Sequence, residues 1–335
     1  DYKTVHDFLN KYRTDYEFSK LVNDKLHETT NEIIADYNQK NRATYSESIP
    51  WLSSLFYNDS LDGYNRILAW IRMVFIAHNM RRYDLLTVMF DHFERQVASG
   101  KWYSRRIIAN FYSQYLLYYS ARNDMNKAIY YGYLSIKIKN DDFVYYINNL
   151  AAVLLRAHRA QEALEALREA IEEAKITQNM HNKIGHAAYR IFGLCDIGKS
   201  KQAENQAFVF FTAYKKEIRH HRWHLFFTAY LKAMLLNHNF HDVIKLNIHQ
   251  KLIERDTQSL EASNYSPAIP WMVALAQYKT ELITLQELDI KLNSFLHLNP
   301  EYHNTTTTIH DLIELTKIVL KEVFYKLNIL KYNYT

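Results

Sequence analysis

The stretch NLAAVLLRAHRAQEALEALREAIEEA occupies residues 149–174. It holds eight alanines in twenty-six residues, at intervals and not in a block, and those intervals decide the fold. Leu150, Ala151 and Leu154, then Ala163, Leu167 and Ala170, fall on two helical faces. Between them residues 156–161, RAHRAQ, form a polar break. Two helices separated by so few residues must fold back as an antiparallel hairpin. Small side chains at Ala151, Ala163 and Ala170 then let the helix axes approach closely where they cross.

The bulk composition extends that reading to the rest of the chain. Apolar residues make up 48% of the 335, enough for a large core, while Gly and Pro number only 6 and 4. A chain so poor in the residues that punctuate turns and hairpins is mostly long helices joined by short polar turns, hence all-α. Tyr is frequent, at 27 residues. It suits helix packing because its ring fills space while its hydroxyl reaches water or a carbonyl. The single cysteine, Cys195, lies in an apolar helical stretch and reads as a buried small hydrophobe. One thiol makes no internal disulfide, which points to a reducing, cytoplasmic setting. No apolar run is long enough to span a bilayer, so no membrane is expected. The chain begins at Asp1 and not Met, as a domain excised from a longer protein would.

The unit recurs. Residues 114–135 carry Asn123 at the turn and Ala128 five residues later; residues 190–211 carry Gly198 and Ala203 in the same relation. Ala128, Ala163, Ala203 and Val243 stand 35, 40 and 40 residues apart. A degenerate copy fits near 67–93. This pattern resembles the tetratricopeptide repeat, a helix–turn–helix unit of roughly 34 residues with small side chains at set positions. Ala151, Ala163 and Ala170 match three of those positions, and His158 replaces the turn glycine.

The resemblance implies an α-solenoid, a right-handed superhelix of antiparallel hairpins over residues 63–260. A helical N-terminal region, 1–62, and a C-terminal hairpin with a capping helix, 261–335, flank it. Helices are expected within 3–40, from a Ser48 cap with Pro50 in the first turn, from about Pro270, and from a threonine cap over about 307–328. The last would cap the stack.

Chemical motifs are sparse. Nucleotide-binding glycine motifs and a nucleophile elbow are absent. His220 and His224 have a ligand-like spacing of four, but no neighbouring Cys or carboxylate completes a metal set, and Arg219 and Arg222 would repel a dication. RHHRWH, like His238 and His241, therefore reads as a polar turn. Arg81–Arg82, Arg105–Arg106, Arg156 with Arg159, and Lys215–Lys216–Arg219 sit near helix ends, where the dipole favours cations. Glu172 and Glu173 read as a solvated face beside Lys175. No catalytic residue, cofactor or metal site is expected.

In tetratricopeptide repeats the first helix of each hairpin lines a concave groove. By that resemblance the groove would present Asn110, Ser113 and Leu117, then Tyr145, Asn148, Ala152 and Arg156. Ala188 and Phe192 would follow, then Thr228 and Lys232. Asn149 stands where some members hold a peptide backbone. Gly185 and Tyr189 occupy positions that a carboxylate clamp fills with basic residues, which argues against such a clamp. The implied function is recognition of a protein or peptide, as the sensor or interaction domain of a larger regulatory or defence protein. Two alternatives remain open: a peptide-pheromone-type receptor, and a nucleic-acid-binding helical repeat in which Tyr and Trp stack on bases. A net charge of +5 is a mild excess for the latter.

Overall fold

A computed structural model of the chain describes residues 105–220, 222–255, 267–298 and 308–328, with scattered positions between 52 and 95. The expectations for 3–40 and for Ser48 and Pro50 lie outside the described residues, as does most of the copy near 67–93. The described residues are helical and contain no β-strand. No helix among them is long and apolar enough to cross a membrane. The chain divides into two compact units, Asp1–Asn140 and Asp141–Thr335.

In the first unit, α1 (Arg105–Ala121) and α2 (Met125–Ile136) pack as a hairpin. Its core is aromatic. Phe90 lies 4.1 Å from Tyr115 and 5.1 Å from Trp70, while Tyr131 stacks on Tyr115 at 4.6 Å. The Tyr115 hydroxyl donates to the Phe90 carbonyl at 3.4 Å, so the ring is buried without stranding its polar tip.

The second unit opens with α3 (Phe143–Arg156) and α4 (Ala160–Glu169), then the short α5 (Ile171–Ile176). The sequence pattern reads α4 and α5 as one helix. The backbone breaks at Ala170, at φ −106° and ψ 16°. Next come α6 (Met180–Asp196), α7 (Ser200–His220), α8 (Trp223–Leu236) and α9 (Phe240–Gln250). After these stand α10 (Ala268–Lys279), α11 (Leu285–Leu298), α12 (Ile309–Leu320) and the 3-10 turn η1 (Lys321–Lys326).

One local motif joins α1 to α2, α3 to α4, α6 to α7, α8 to α9 and α10 to α11. Asn123, His158, Gly198, His238 and Glu281 each take a left-handed conformation, with φ between 57° and 77°. The N–H of each turn residue donates to a carbonyl three residues back, and the next N–H reaches five back, as in His158 to Leu155 and Arg159 to Leu154. This Schellman pair satisfies carbonyls that a helix end otherwise leaves open. Five residues beyond the first four turns, Ala128, Ala163, Ala203 and Val243 are completely buried.

Neighbour relations in the second unit are regular. The helices α3, α6, α8 and α10 contact one another in that order, and α12 packs on both α8 and α10. Helix α4 packs on α3 and α6, α7 on α6 and α8, and α9 on α8 and α10. Along α3, Ile147, Leu150, Ala151 and Leu154 are fully buried, opposite Ala163 and Leu167 of α4. Where α4 crosses α6, a Cβ at Gly193 would stand 2.9 Å from the Leu164 side chain, so glycine permits the contact. Buried His186 of α6 meets the Leu167 carbonyl at 2.9 Å; since that oxygen only accepts, Nε2 carries the proton. Burial, which outweighs that bond and is reinforced by Arg190, pushes the His186 pKa down to about 4.

Helix α10 is apolar all round, and Ala268 to Ala276 are all buried. Pro270 sits in its first turn, where a missing N–H leaves no bond unmade. The Trp271 Nε1–H donates to Thr316 Oγ1 at 2.8 Å and fixes α12 against α10. Thr308 caps α12 in a reciprocal box with Asp311. The last helix is shorter than the expected 307–328, because Lys321 turns to φ 52° and the chain continues as η1.

Two predictions follow from this architecture. Alanine at Gly198 should destabilise the protein by about 1 kcal/mol, because a Cβ is disfavoured at this φ, whereas His158→Gly should leave stability unchanged or raise it; urea unfolding midpoints report both. His186 is neutral in the fold with a pKa near 4, against an ordinary histidine value of 6.5. The unfolded chain therefore binds the extra proton first. The stability His186 contributes is complete above pH 6.5 and falls as pH drops towards 4, by about 2–4 kcal/mol. The stability difference between wild type and His186→Gln, followed from pH 7 to pH 4, isolates that slope.

Candidate functional site

The candidate recognition face in the second unit is carried by α3, α6 and α8. On α3, Tyr145, Asn149, Ala152 and Arg156 recur at spacings of four and three and form one stripe. Tyr145, Asn149 and Arg156 are half-buried and Ala152 is buried. The Tyr145 ring meets Tyr146 edge-on at 5.6 Å. Asn148, one position off the stripe, is 1% exposed. Its Nδ2 donates to the Asn182 carbonyl at 2.8 Å, and its Oδ1 is buried without a hydrogen-bond partner. Asn148 thus ties α3 to the first turn of α6.

Arg222 closes the same end of the face. It precedes α8 in a left-handed conformation at φ 42°. Its Nε donates to His181 Nε2 at 2.6 Å, and its Nη1 donates to the Tyr189 hydroxyl at 3.2 Å. The guanidinium lies across Gly185. A Cβ there would stand 2.8 Å from Arg222 Nη1 and 3.2 Å from Asn148 Nδ2. Asn148 of α3, Gly185 of α6 and the arginine heading α8 therefore converge at one point. The sequence reading misses this seam, since it treats RHHRWH as a solvated turn. A signal was present: Gly185 sits mid-helix, where glycine costs ~1 kcal/mol against alanine and is kept only for a reason of packing or approach.

At the other end of the face, Phe192 is 1% exposed and the Lys232 ammonium lies 5.7 Å from its ring centroid. Lys232 Nζ pairs with Asp196 Oδ1 at 2.6 Å. Burial opposes the ammonium, but Asp196 and neighbouring groups outweigh it and hold the lysine pKa above its usual value. Helix α12 stands over this pair. Its His310, Asp311 and Glu314 line a cavity of about 430 Å³ together with Lys232, Asp196 and His158. Cys195 borders the same cavity; burial pushes its thiol up to about 12, so it carries no thiolate at neutral pH.

Asn110 and Ser113 lie on α1, in the other unit. The Asn110 Oδ1 accepts from Gln114 Nε2 at 3.2 Å, and Ser113 is fully buried. Of the charged residues singled out above, Arg159 closes on Glu162 at 2.5 Å and Lys175 on Glu172 at 2.7 Å. The side chain of His220, and all of His221, lie outside the described residues. Among the described residues no group of three or more His, Cys, Asp or Glu is placed to hold a metal ion. No protein-family model matches the chain, and no curated protein matches it.

The geometry separates two adjacent asparagines. Asn148→Ala should lose about 1 kcal/mol of stability, because the buried amide bond that ties α3 to α6 is lost. Half-buried Asn149→Ala should lose less than about 0.5 kcal/mol. Urea unfolding of the two variants side by side checks the contrast.

Proposed function

We propose that the 141–335 unit is a tetratricopeptide-like α-solenoid whose first helices recognise a segment of another protein or a peptide. One observation carries this reading: α3, α6, α8 and α10 adjoin in series, while α4, α7 and α9 each wedge between a first helix and the next. Stacked hairpins of this kind leave their first helices side by side on one surface. The repeated left-handed turn, with a buried small or β-branched residue five positions on, supports the same reading.

Within that face the part exposed to solvent is narrower than the sequence implies. Phe192 and Asn148 are sealed, Lys232 is paired and roofed, and Tyr145, Asn149 and Arg156 remain half-exposed. The ligand would lie along α3 and run towards His181 at the head of α6. Nothing here requires catalysis; the domain would serve as the sensing or interacting part of a larger regulatory or defence protein.

The test is selection of a random peptide library against the full chain. The proposal expects an enriched peptide family whose binding falls at least about tenfold in Tyr145→Ala and in Arg156→Glu, with the melting temperature unchanged. That binding should vary little with salt. A log–log salt slope of several units would mark a nucleic-acid-type site instead. Failure to enrich any peptide, or enrichment indifferent to both substitutions, would overturn it.

A further inference from the structure

Helix α6 has a second stripe. Lys183, His186, Ala187 and Arg190 lie on the side opposite Ala188 and Phe192. They floor a groove of about 460 Å³ whose walls come from α5 and α7 and include Ala174, Val209, Phe210 and Ala213. Val209 is 59% exposed there, a large apolar side chain left open to solvent.

The charges in this groove are one-sided. Lys175, Lys183 and Arg190 line it, and no Asp or Glu does. Lys175 turns to Glu172 at 2.7 Å, and the Lys183 ammonium lies 5.3 Å from the Tyr214 ring centroid. Arg190 has no such relief. It is half-buried, and it makes neither a hydrogen bond nor an ion pair. It lines the groove beside Val209, Phe210 and Ala213, with Asn205 and Gln206 also in the lining, and partial burial lowers its pKa. His186, neutral in the fold and committed through Nε2 to Leu167, offers no second charge.

A half-buried guanidinium that the described residues give no counter-ion is open to an anion from outside. Its planar fork matches a carboxylate with two parallel N–H···O bonds. The apolar walls need a hydrocarbon body to cover them. A phosphate, which has no hydrocarbon body, would leave Val209 and Phe210 wet. We propose that this groove binds an aliphatic carboxylate of medium chain length. The carboxylate sits on Arg190 and the chain lies against Val209, Phe210 and Ala213. The site is on the far side of α6 from the recognition face and stands independently of it.

The experiment is calorimetric titration of the full chain with decanoate and with decanol, both below their aggregation concentrations. Decanoate should saturate a single site and bind at least about tenfold more tightly than decanol, since only the acid engages the guanidinium. Arg190→Met should remove that preference and leave the ligand-free melting temperature unchanged or higher, because it replaces an unpaired charge with a hydrocarbon. Ala213→Trp should block both ligands by filling the groove. Equal affinity for the two ligands, non-saturating decanoate uptake, or undiminished decanoate binding in either variant would overturn the assignment. So would a fall in the ligand-free melting temperature of Arg190→Met, which would show that Arg190 serves the fold instead.

Discussion

The helical hairpins depend on a backbone event one residue wide. Each hairpin reverses where a single residue turns left-handed and two carbonyls of the preceding helix find new donors. Only one of the five turn residues is glycine. At the other four a Cβ makes the conformation unfavourable by ~1–2 kcal/mol, so packing beyond the turn has to hold it in place. In the first four hairpins that packing centres on Ala128, Ala163, Ala203 or Val243, buried where the second helix leans onto the first. Turn and crossing are thus one device. The turn sets the direction of return, and the small side chain sets how close the return can be.

The same economy shapes the surface of the second unit. Helices α3, α6 and α8 are tied at one end by Arg222, Asn148 and Asn182, and at the other by the Lys232–Asp196 pair under α12. These polar ties fix the register between helices that apolar contact alone would let slide. They also consume polar side chains on the surface of these helices. What remains half-exposed on α3, Tyr145, Asn149 and Arg156, is one stripe on the first helix of the unit.

Helical content and hairpin spacing were legible in the sequence because both are local. Scarce glycine and proline, alanines at helical intervals and a polar break every 35 to 40 residues need no knowledge of distant contacts. The threonine cap of α12 and the proline in the first turn of α10 were legible for the same reason. The break at Ala170 and the early end of α12 at Lys321 were not, since each is a single backbone departure inside a segment whose apolar spacing continues. Arg222 was hidden more deeply. Its partners lie 33 and 41 residues away, at Tyr189 and His181. A linear pattern records only that several basic residues cluster, and places them in solvent by default. The lone glycine at 185 was the local trace of that distant contact.

The treatment of arginine shows where the fold is finished and where it is not. Arg122 donates to the Tyr118 hydroxyl at 3.0 Å, Arg159 to Glu162, and Arg222 to His181 and Tyr189. Arg255 donates to the Arg219 carbonyl at 2.8 Å and packs over Trp223. In each case the fork is directed at an acceptor within its own neighbourhood, which is what a chain folding for stability alone would be selected to do. Arg190 departs from that pattern: half-buried in a groove with Val209, Phe210 and Ala213, it has no acceptor among the described residues. A methionine of similar reach would fill the same space. An arginine there makes physical sense when the site is completed by an anion that the chain does not itself provide.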